Sequence, residues 1–212
     1  MTSVAIIDYQ LSNLFSVKHA CCHVGLDAEI TSDPKVIKQA SGAILPGVGA
    51  FGDAMSSLEK LNLTSAIKDF IASGKPFMGI CLGLQLLFTK SEEFGIHNGL
   101  DIIKGNVVKF KNGIKVPQIG WNTIHSPSGQ DLWERSPLRG IAEGEYMYFV
   151  HSFYVAPEDP DMVLTKTEYE EISYCSGIHR DNVFAVQFHP EKSGEEGIKI
   201  YRNWGSLVKN HK

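Results

Sequence analysis

The chain has 212 residues, of which 43% are hydrophobic and 21% charged, and its formal net charge is −4. These values are typical of a globular protein with one substantial core, and the acidic balance gives no electrostatic reason to expect a nucleic-acid partner. No stretch approaches the roughly 20 consecutive apolar residues of a membrane span, so we expect no membrane partner either.

The N-terminus predicts a cytoplasmic protein. Residues 1–8 have the pattern of a first strand, without a basic region or a cleavage site, so we predict no signal peptide. The cysteines are then expected to stay reduced. We interpret Cys21, Cys22 and Cys175 as ordinary thiols and Cys81 as a special one.

Strand and helix patterns alternate through the first part of the chain. Helical spacing predicts helices over 12–24, with Ser12 as N-cap, and over 53–73. Asp33 and Pro34 are typical of the N-cap and the first position of another helix. Short apolar runs predict strands at 4–7, 28–31, 42–45 and 76–78. This alternation predicts a parallel sheet with helices on both faces.

The second half predicts mainly strands joined by Gly, Pro and Asp turns. These strands lie at 107–110, 115–116, 121–124, 146–150, 162–164 and 183–188, and a helix over 195–209 closes the chain. We find no internal repeat, low-complexity tract or linker. The sequence therefore predicts a single α/β domain over residues 1–212, with an open, mostly parallel sheet flanked by helices and extra antiparallel strands in the second half.

A reactive cysteine follows the apolar run at 76–78. Cys81 is the centre of a Gly-x-Cys-x-Gly pattern, 79–83, which suits a sharp strand-to-helix turn because the glycines let neighbouring backbone pass. A helix beginning near Leu82 would place free N–H groups and its positive end beside the sulphur. The alternative is a buried apolar thiol in a tight turn.

A matching base is predicted at the end of the strand at 183–188. His189 follows it, Pro190 stiffens the turn, and Glu191 is placed to orient the imidazole. A nucleophile, a base and an orienting carboxylate form the triad of acyl-transfer catalysis. Taken alone, His189 and Glu191 would be a loop histidine and a solvated carboxylate. With Cys81 present, we favour the triad.

These segments resemble the class I, or triad, glutamine amidotransferases, over essentially the whole chain. That family has an open α/β, flavodoxin-like fold and releases ammonia from glutamine through a cysteinyl thioester. The resemblance is more specific to members that serve as the glutaminase subunit of a two-subunit synthase in histidine biosynthesis. Four segments carry it: 46–52, 120–122, 148–153 and 189–194.

The resemblance implies a catalytic role for each triad residue. Cys81 would attack the side-chain amide of L-glutamine. His189 would take the thiol proton and return a proton to the departing ammonia, while Glu191 orients the imidazole.

The resemblance also implies an oxyanion hole made by the backbone N–H groups of Leu82 and, after a peptide flip, of Val48. A glycine-rich segment such as 46–52 can flip a peptide at little steric cost. We hypothesise that this loop is a switch, which keeps the glutaminase idle until a partner signals that its substrate is bound. The alternative is a plain β-turn.

Glutamine binding is likewise implied by the resemblance, with Glu93 as the acceptor for the α-amino group. From the residues alone, Gln85 would be a helix-surface residue and His151 a satisfied histidine at a strand end. The implied glutamine-binding residues are Gly49, Gln85, Glu93, His151, Ser152 and Phe153.

The implied partner is a cyclase subunit with a (β/α)8 barrel, which would form a heterodimer with this chain and receive ammonia through a channel. Exposed aromatic residues and a lysine beside a catalytic turn suit an interface, although they also suit ordinary core and rim packing. The implied contact residues are Asn13, Trp121, Asn122, Tyr148 and Lys192.

Two departures from the family pattern leave the partner open. Gln10 and Ser12 stand where the family often has glycines, and Gln118-Ile119 precedes the Gly-Trp-Asn turn where the family often has a histidine. One alternative is therefore a paralogous subunit that supplies ammonia to a surface-sugar amidotransferase. A stand-alone γ-glutamyl hydrolase and an inactive scaffold are further alternatives, against which the intact triad and the 46–52 loop argue.

The segment from His19 to His23 has the composition of a metal site, with two cysteines between the histidines. On a helix, however, only His19 and His23 share a face. The spacing matches no common zinc pattern. We therefore expect no metal and no cofactor.

Overall fold

A computed structural model describes residues 3–211 except 12, 112, 128 and 130. The strands are β1 (Ser3–Ile7), β2 (Asp27–Thr31), β3 (Gly42–Gly47), β4 (Phe77–Cys81), β5 (Phe88–Ser91), β6 (His97–Asn98), β7 (Ile103–Lys109), β8 (Gln118–Thr123), β9 (Tyr146–His151), β10 (Phe153–Pro157), β11 (Val163–Tyr169), β12 (Ile172–Arg180) and β13 (Val183–Val186). The helices are α1 (Leu14–His23), α2 (Pro34–Gln39), α3 (Phe51–Lys60), α4 (Leu63–Ala72), α5 (Leu82–Leu86), α6 (Asp131–Glu134) and α7 (Gly194–Asn210), with 3₁₀ turns at Pro160–Met162 and Pro190–Lys192.

Eleven of these strands form one sheet, in the order β2-β1-β3-β4-β13-β12-β10-β7-β5-β6, and β11 pairs with β12. The first five strands of this order are parallel to one another. The remaining pairs are antiparallel except for β5 with β7. The mostly parallel sheet and the extra antiparallel strands in the second half are confirmed.

Helices cover both faces of the parallel strands, as predicted. Along β1, Ala5 and Ile7 belong to one core while Val4 and Ile6 belong to the other, because side chains alternate along a strand. The first core lies under α2 to α5, and the second lies under α1 and α7. The apolar, β-branched strands are buried on both faces, which is characteristic of a parallel sheet.

A separate antiparallel hairpin, β8 and β9, lies beside the main sheet and pairs Trp121 with Tyr148. The predicted strand at 115–116 is wrong: these residues are irregular, and β8 begins at Gln118. Pro117 explains this start, because it has no N–H to donate to a neighbouring strand.

The predicted helix starts have different outcomes. Asp33 caps α2 as expected, since its carboxylate accepts the Lys35 N–H at 2.8 Å. The helical region predicted over 53–73 consists of two helices, α3 and α4, separated at Asn62, whose φ is 55°. Ser12, the predicted N-cap of α1, lies outside the described residues.

Candidate active site

Three segments that carry the predicted chemistry meet at one edge of the sheet. In the parallel register, Gly47 pairs with Cys81, and Ile80 pairs with Val186, three residues before His189. The strands β3, β4 and β13 are neighbours, so their carboxyl ends open onto the same crevice. Ligands bind in this position in open α/β sheets.

Cys81 lies on a strained turn between β4 and α5, with φ 55° and ψ −110°. Such a conformation costs energy in a residue with a Cβ, and it is characteristic of functional turns. The flanking glycines are required by packing. A Cβ at Gly79 would lie 2.9 Å from the Cβ of Ala185, and one at Gly83 would overlap the carbonyl of Leu45.

His189 and Glu191 form the predicted pair of a base and its orienting carboxylate. Glu191 Oε1 accepts from His189 Nδ1 at 2.8 Å, and the two side chains are 1% and 3% exposed respectively. Burial alone would lower the pKa of His189, but the negative sulphur of Cys81 and the Glu191 carboxylate raise it to about 10. The imidazole therefore keeps its proton at neutral pH.

A cavity of about 240 Å³ opens over the sulphur. Such a volume suits a small metabolite rather than a larger ligand. Its lining brings together every residue predicted for catalysis at Cys81, for the oxyanion hole and for glutamine binding: Val48, Gly49, Cys81, Leu82, Gln85, Glu93, His151, Ser152 and Phe153.

Glu93 enters the cavity from the segment after β5. Its Oε2 accepts the N–H of Phe51, the first residue of α3, at 2.6 Å. This bond fixes the carboxylate and uses only one of its oxygens, so Oε1 can accept from a ligand. Gly49 has a φ of +98° with open space around it, which leaves room in the cavity beside Glu93.

Gln85 and His151 are buried rather than exposed. Gln85 is 5% exposed, so the alternative of a helix-surface residue is wrong. His151 bonds to the Phe153 carbonyl through Nδ1, at 2.8 Å, and to the Tyr174 hydroxyl through Nε2, at 3.1 Å. Burial lowers the pKa of His151 to about 4, so it is neutral at pH 7.

Only one of the two predicted oxyanion donors is placed at the start of a helix. Leu82 begins α5, where backbone N–H groups have no partner within the helix. The N–H of Val48, in contrast, is occupied by the carbonyl of Leu11 at 3.0 Å. In this conformation Val48 does not complete an oxyanion hole.

The predicted partner residues on the hairpin form an exposed cluster beside the triad. Trp121 is 56% exposed and packs edge-on against Tyr148, whose ring also lies 5.8 Å from Lys192 Nζ. The carbonyl of Tyr148 accepts the N–H of His189 at 2.9 Å. The hairpin is therefore joined directly to the catalytic turn.

The other two predicted partner residues have local contacts. Asn122 donates to the carbonyl of Glu168 at 2.8 Å, and Asn13 accepts from the Ser16 hydroxyl at 3.3 Å. Their partner role remains a prediction.

The helix α7 holds the catalytic turn by close contact. A Cβ at Gly197 would overlap the carbonyl of Pro190, which lies between His189 and Glu191. The helix axis can approach the turn this closely only because residue 197 has no side chain. No short sequence motif marks either Gly197 or the buried Gln187 as functional.

The two histidines of α1 line a groove with Glu191. Within the described ranges, no group of three or more histidine, cysteine or acidic side chains is arranged to hold a metal ion. Nor is any helix in the described part of the chain long and apolar enough to cross a membrane.

Comparison with known proteins identifies the family. The family model described as glutamine amidotransferase class-I matches residues 5–205. The imidazole glycerol phosphate synthase subunit HisH of Aquifex aeolicus is 51% identical over 200 residues, with 94% of each chain covered. The subunit of the same name from Caldanaerobacter subterraneus is 50% identical over 206 residues, covering 97% of this chain and 98% of that one.

Solved structures share the fold at much lower identity. PurLQS from Thermotoga maritima superposes with a TM-score of 0.73 at 19% identity, covering 96% of this chain and 97% of that chain. The glutaminase domain of Trypanosoma brucei CTPS, solved with bound acivicin, gives a TM-score of 0.70 at 13% identity, covering 100% and 95%.

Proposed function

The chain belongs to the class-I glutamine amidotransferases and, within them, to the HisH subunits of imidazole glycerol phosphate synthase, and on this premise we propose how it acts. It hydrolyses L-glutamine to glutamate and ammonia, and it passes the ammonia to a cyclase subunit that forms imidazole glycerol phosphate and AICAR in histidine biosynthesis. The observation that carries the proposal is the buried triad beside a small cavity that opens over the Cys81 sulphur.

The reaction follows from the charges in the triad. The Cys81 thiolate attacks the carboxamide carbon of glutamine, and the resulting oxyanion is held first by the N–H of Leu82. The His189 imidazolium gives its proton to the nitrogen, so ammonia leaves and a thioester forms. Water then attacks the thioester with His189 as base, which releases glutamate and restores the thiolate.

The cavity supplies groups for the far end of glutamine. The free oxygen of Glu93 can accept from the α-ammonium group, while the segment from His151 to Phe153 and Gly49 line the rest of the cavity. Both hydrogens of Gln85 Nε2 are used within the protein, so only its Oε1 can meet the substrate. Because His151 is neutral, it adds no positive charge beside the substrate ammonium.

The proposed partner is a cyclase with a (β/α)8 barrel, in a heterodimer located in the cytoplasm. The exposed cluster of Trp121, Tyr148 and Lys192 supports this surface, because tryptophan and tyrosine are enriched in interface hot spots. Its bond to the His189 backbone would place the ammonia source close to the partner.

The paralogous subunit for a surface-sugar amidotransferase rested on two sequence departures. Gln118 is 3% exposed, so this departure is a buried one and is weak evidence for a different partner. Gln10 has a φ of 73°, a conformation that favours the glycine the family often has there. Both departures are compatible with the histidine-pathway function.

Glutaminase assays with and without the cyclase subunit from the same genome, with its nucleotide substrate present, test the proposal. We expect slow hydrolysis by the chain alone and stimulation of about 10²–10³-fold in the complex, the usual contribution of one oxyanion donor. Stimulation only by a paralogous barrel with a sugar amidotransferase would move the function to surface-sugar synthesis. Fast, partner-independent turnover of γ-glutamyl peptides would contradict the gated subunit.

Gly197→Ala is expected to lower kcat about 10- to 100-fold, because a shift of about 1 Å in a catalytic group has effects of this size. The new Cβ must displace either α7 or the His189–Glu191 turn. Steady-state glutaminase kinetics in the complex measure the effect.

Gly205→Ala is the matched control in the same helix. Its Cβ would meet only side-chain atoms of Leu26, at 3.0–3.2 Å, and these can move. We expect some loss of stability but an unchanged kcat. An equal loss of kcat in both variants would show that the contact with Pro190 has no special role.

A further inference from the structure

Gln187 is a buried side chain that contacts the nucleophile. It is 0% exposed, and its Nε2 lies 3.6 Å from Cys81 Sγ. Its backbone N–H donates to the carbonyl of Ser176 at 2.9 Å, which anchors the residue on the neighbouring strand β12. It precedes His189 by two residues but has no part in the triad described above.

A chain of hydrogen bonds fixes which end of the Gln187 amide faces the sulphur. The carbonyl of Phe153 can only accept, so the Gln85 atom 2.9 Å from it must be the Nε2 donor. The same Nε2 lies 3.0 Å from Gln187, and the atom there must therefore be the Oε1 acceptor. The remaining polar atom of Gln187, facing Cys81, is the NH₂ group.

We propose that Gln187 is a further catalytic residue, whose side-chain N–H donates to the Cys81 sulphur and stabilises it as the attacking thiolate. This role rests on the proposed function of Cys81 as nucleophile. The donor is held in advance by Gln85 and by the strand, so it needs no reorganisation when the charge forms. In the proposed reaction His189 supplies a proton that is transferred, whereas Gln187 offers one that stays on its nitrogen.

The contribution is that of one hydrogen bond to a charged group. Such bonds are stronger than neutral ones, and losing one is expected to lower thiolate reactivity at fixed pH by about tenfold or more. A purely structural glutamine would affect stability alone and would not alter how the reactivity of Cys81 depends on pH.

Alkylation of Cys81 by chloroacetamide, a neutral probe that needs no glutamine site, tests the proposal. The full chain carries Cys22→Ser because Cys22 is an exposed thiol. Burial raises the pKa of Cys21 and of Cys175 to about 12, so neither competes near neutral pH. Rates are measured from pH 5 to 9 by mass spectrometry of the intact protein.

Gln187→Met, which keeps a similar shape without the donor, is expected to react about tenfold more slowly at pH 6, with the midpoint of its profile about one pH unit higher. Gln187→Glu is expected to shift the midpoint further, because its carboxylate repels the thiolate. It also keeps an acceptor for Gln85, so it serves if the methionine variant is too unstable to measure.

Thr165→Val is the matched control, because it removes a buried hydrogen bond to Ser176 that does not involve the sulphur. Urea denaturation is expected to show destabilisation, with the alkylation profile unchanged. Profiles of the Gln187 variants that match the wild type would overturn the role of Gln187. If Cys81 in this chain were no more reactive at pH 6 than Cys22 is in a chain that carries Cys81→Ser instead, the nucleophile assignment would be overturned, and this role with it.

Discussion

Replacing Cys81 by alanine is expected to lower glutamine hydrolysis by about 10⁴–10⁶-fold, the range seen when an enzyme loses its covalent nucleophile. No other thiol lines the cavity among the described residues. Glu93 and the other residues that line the cavity can still bind glutamine, so the loss should be in kcat rather than in KM. Glutamate release by the complex with the cyclase measures it.

Two further variants separate chemistry from folding. Cys22→Ser changes the exposed thiol on α1 and should leave the rate unchanged. Cys81→Ser keeps a nucleophilic atom, yet the hydroxyl is not ionised by His189 as readily as the thiol, so its rate should lie near that of the alanine variant. Normal urea denaturation of Cys81→Ala with a rate above 1% of wild type would contradict the thioester mechanism.

Much of the fold could be predicted because its signals are local. The apolar runs of β1, β3 and β4 are buried on both faces, so they stand out as continuous hydrophobic segments. The strands β5, β10 and β12 were missed. In β12, polar residues such as Ser176 interrupt the apolar pattern. Ser176 can be buried there because it bonds to other buried polar groups, and no local pattern predicts such a strand.

The triad could be predicted because each of its segments carries its own short signal. The Gly-x-Cys-x-Gly elbow and the histidine after an apolar strand need no knowledge of the other segment. The surroundings of Cys81 could not be predicted, because they depend on pairs far apart in sequence. Gln187 reaches the sulphur across 106 positions, and Gln85 reaches Phe153 across 68.

The conformation of the 46–52 loop was also beyond the sequence. Its glycines indicated that a peptide could flip, but only the structure shows that the N–H of Val48 is occupied by Leu11. The backbone at Gly47 is closely packed, since a Cβ there would overlap the Tyr9 hydroxyl and lie 2.9 Å from the Cβ of Leu82. This close packing supports the arrangement of the loop seen in the structure.

Val48→Pro is expected to remove most of the partner's stimulation, reducing the rate of the complex by about 10²–10³-fold. Proline has no N–H, so the peptide between residues 47 and 48 cannot donate to the oxyanion even after it flips. The reaction would then depend on Leu82 alone, which is the proposed state of the isolated subunit. Glutaminase rates with the cyclase and its nucleotide substrate, relative to rates without them, measure the stimulation.

Val48→Ala is the control that decides the interpretation, because it shortens the same side chain but keeps the N–H. We expect it to retain most of the stimulation, while size-exclusion chromatography shows that both variants still bind the cyclase. If Val48→Pro bound the partner and were still fully stimulated, the second donor would have to be another group. If both variants lost the stimulation equally, the Val48 side chain, which is 39% exposed, would be the feature that the partner uses. Only a loss confined to the proline variant identifies the second oxyanion donor as the Val48 N–H, which the Leu11 carbonyl occupies in this conformation.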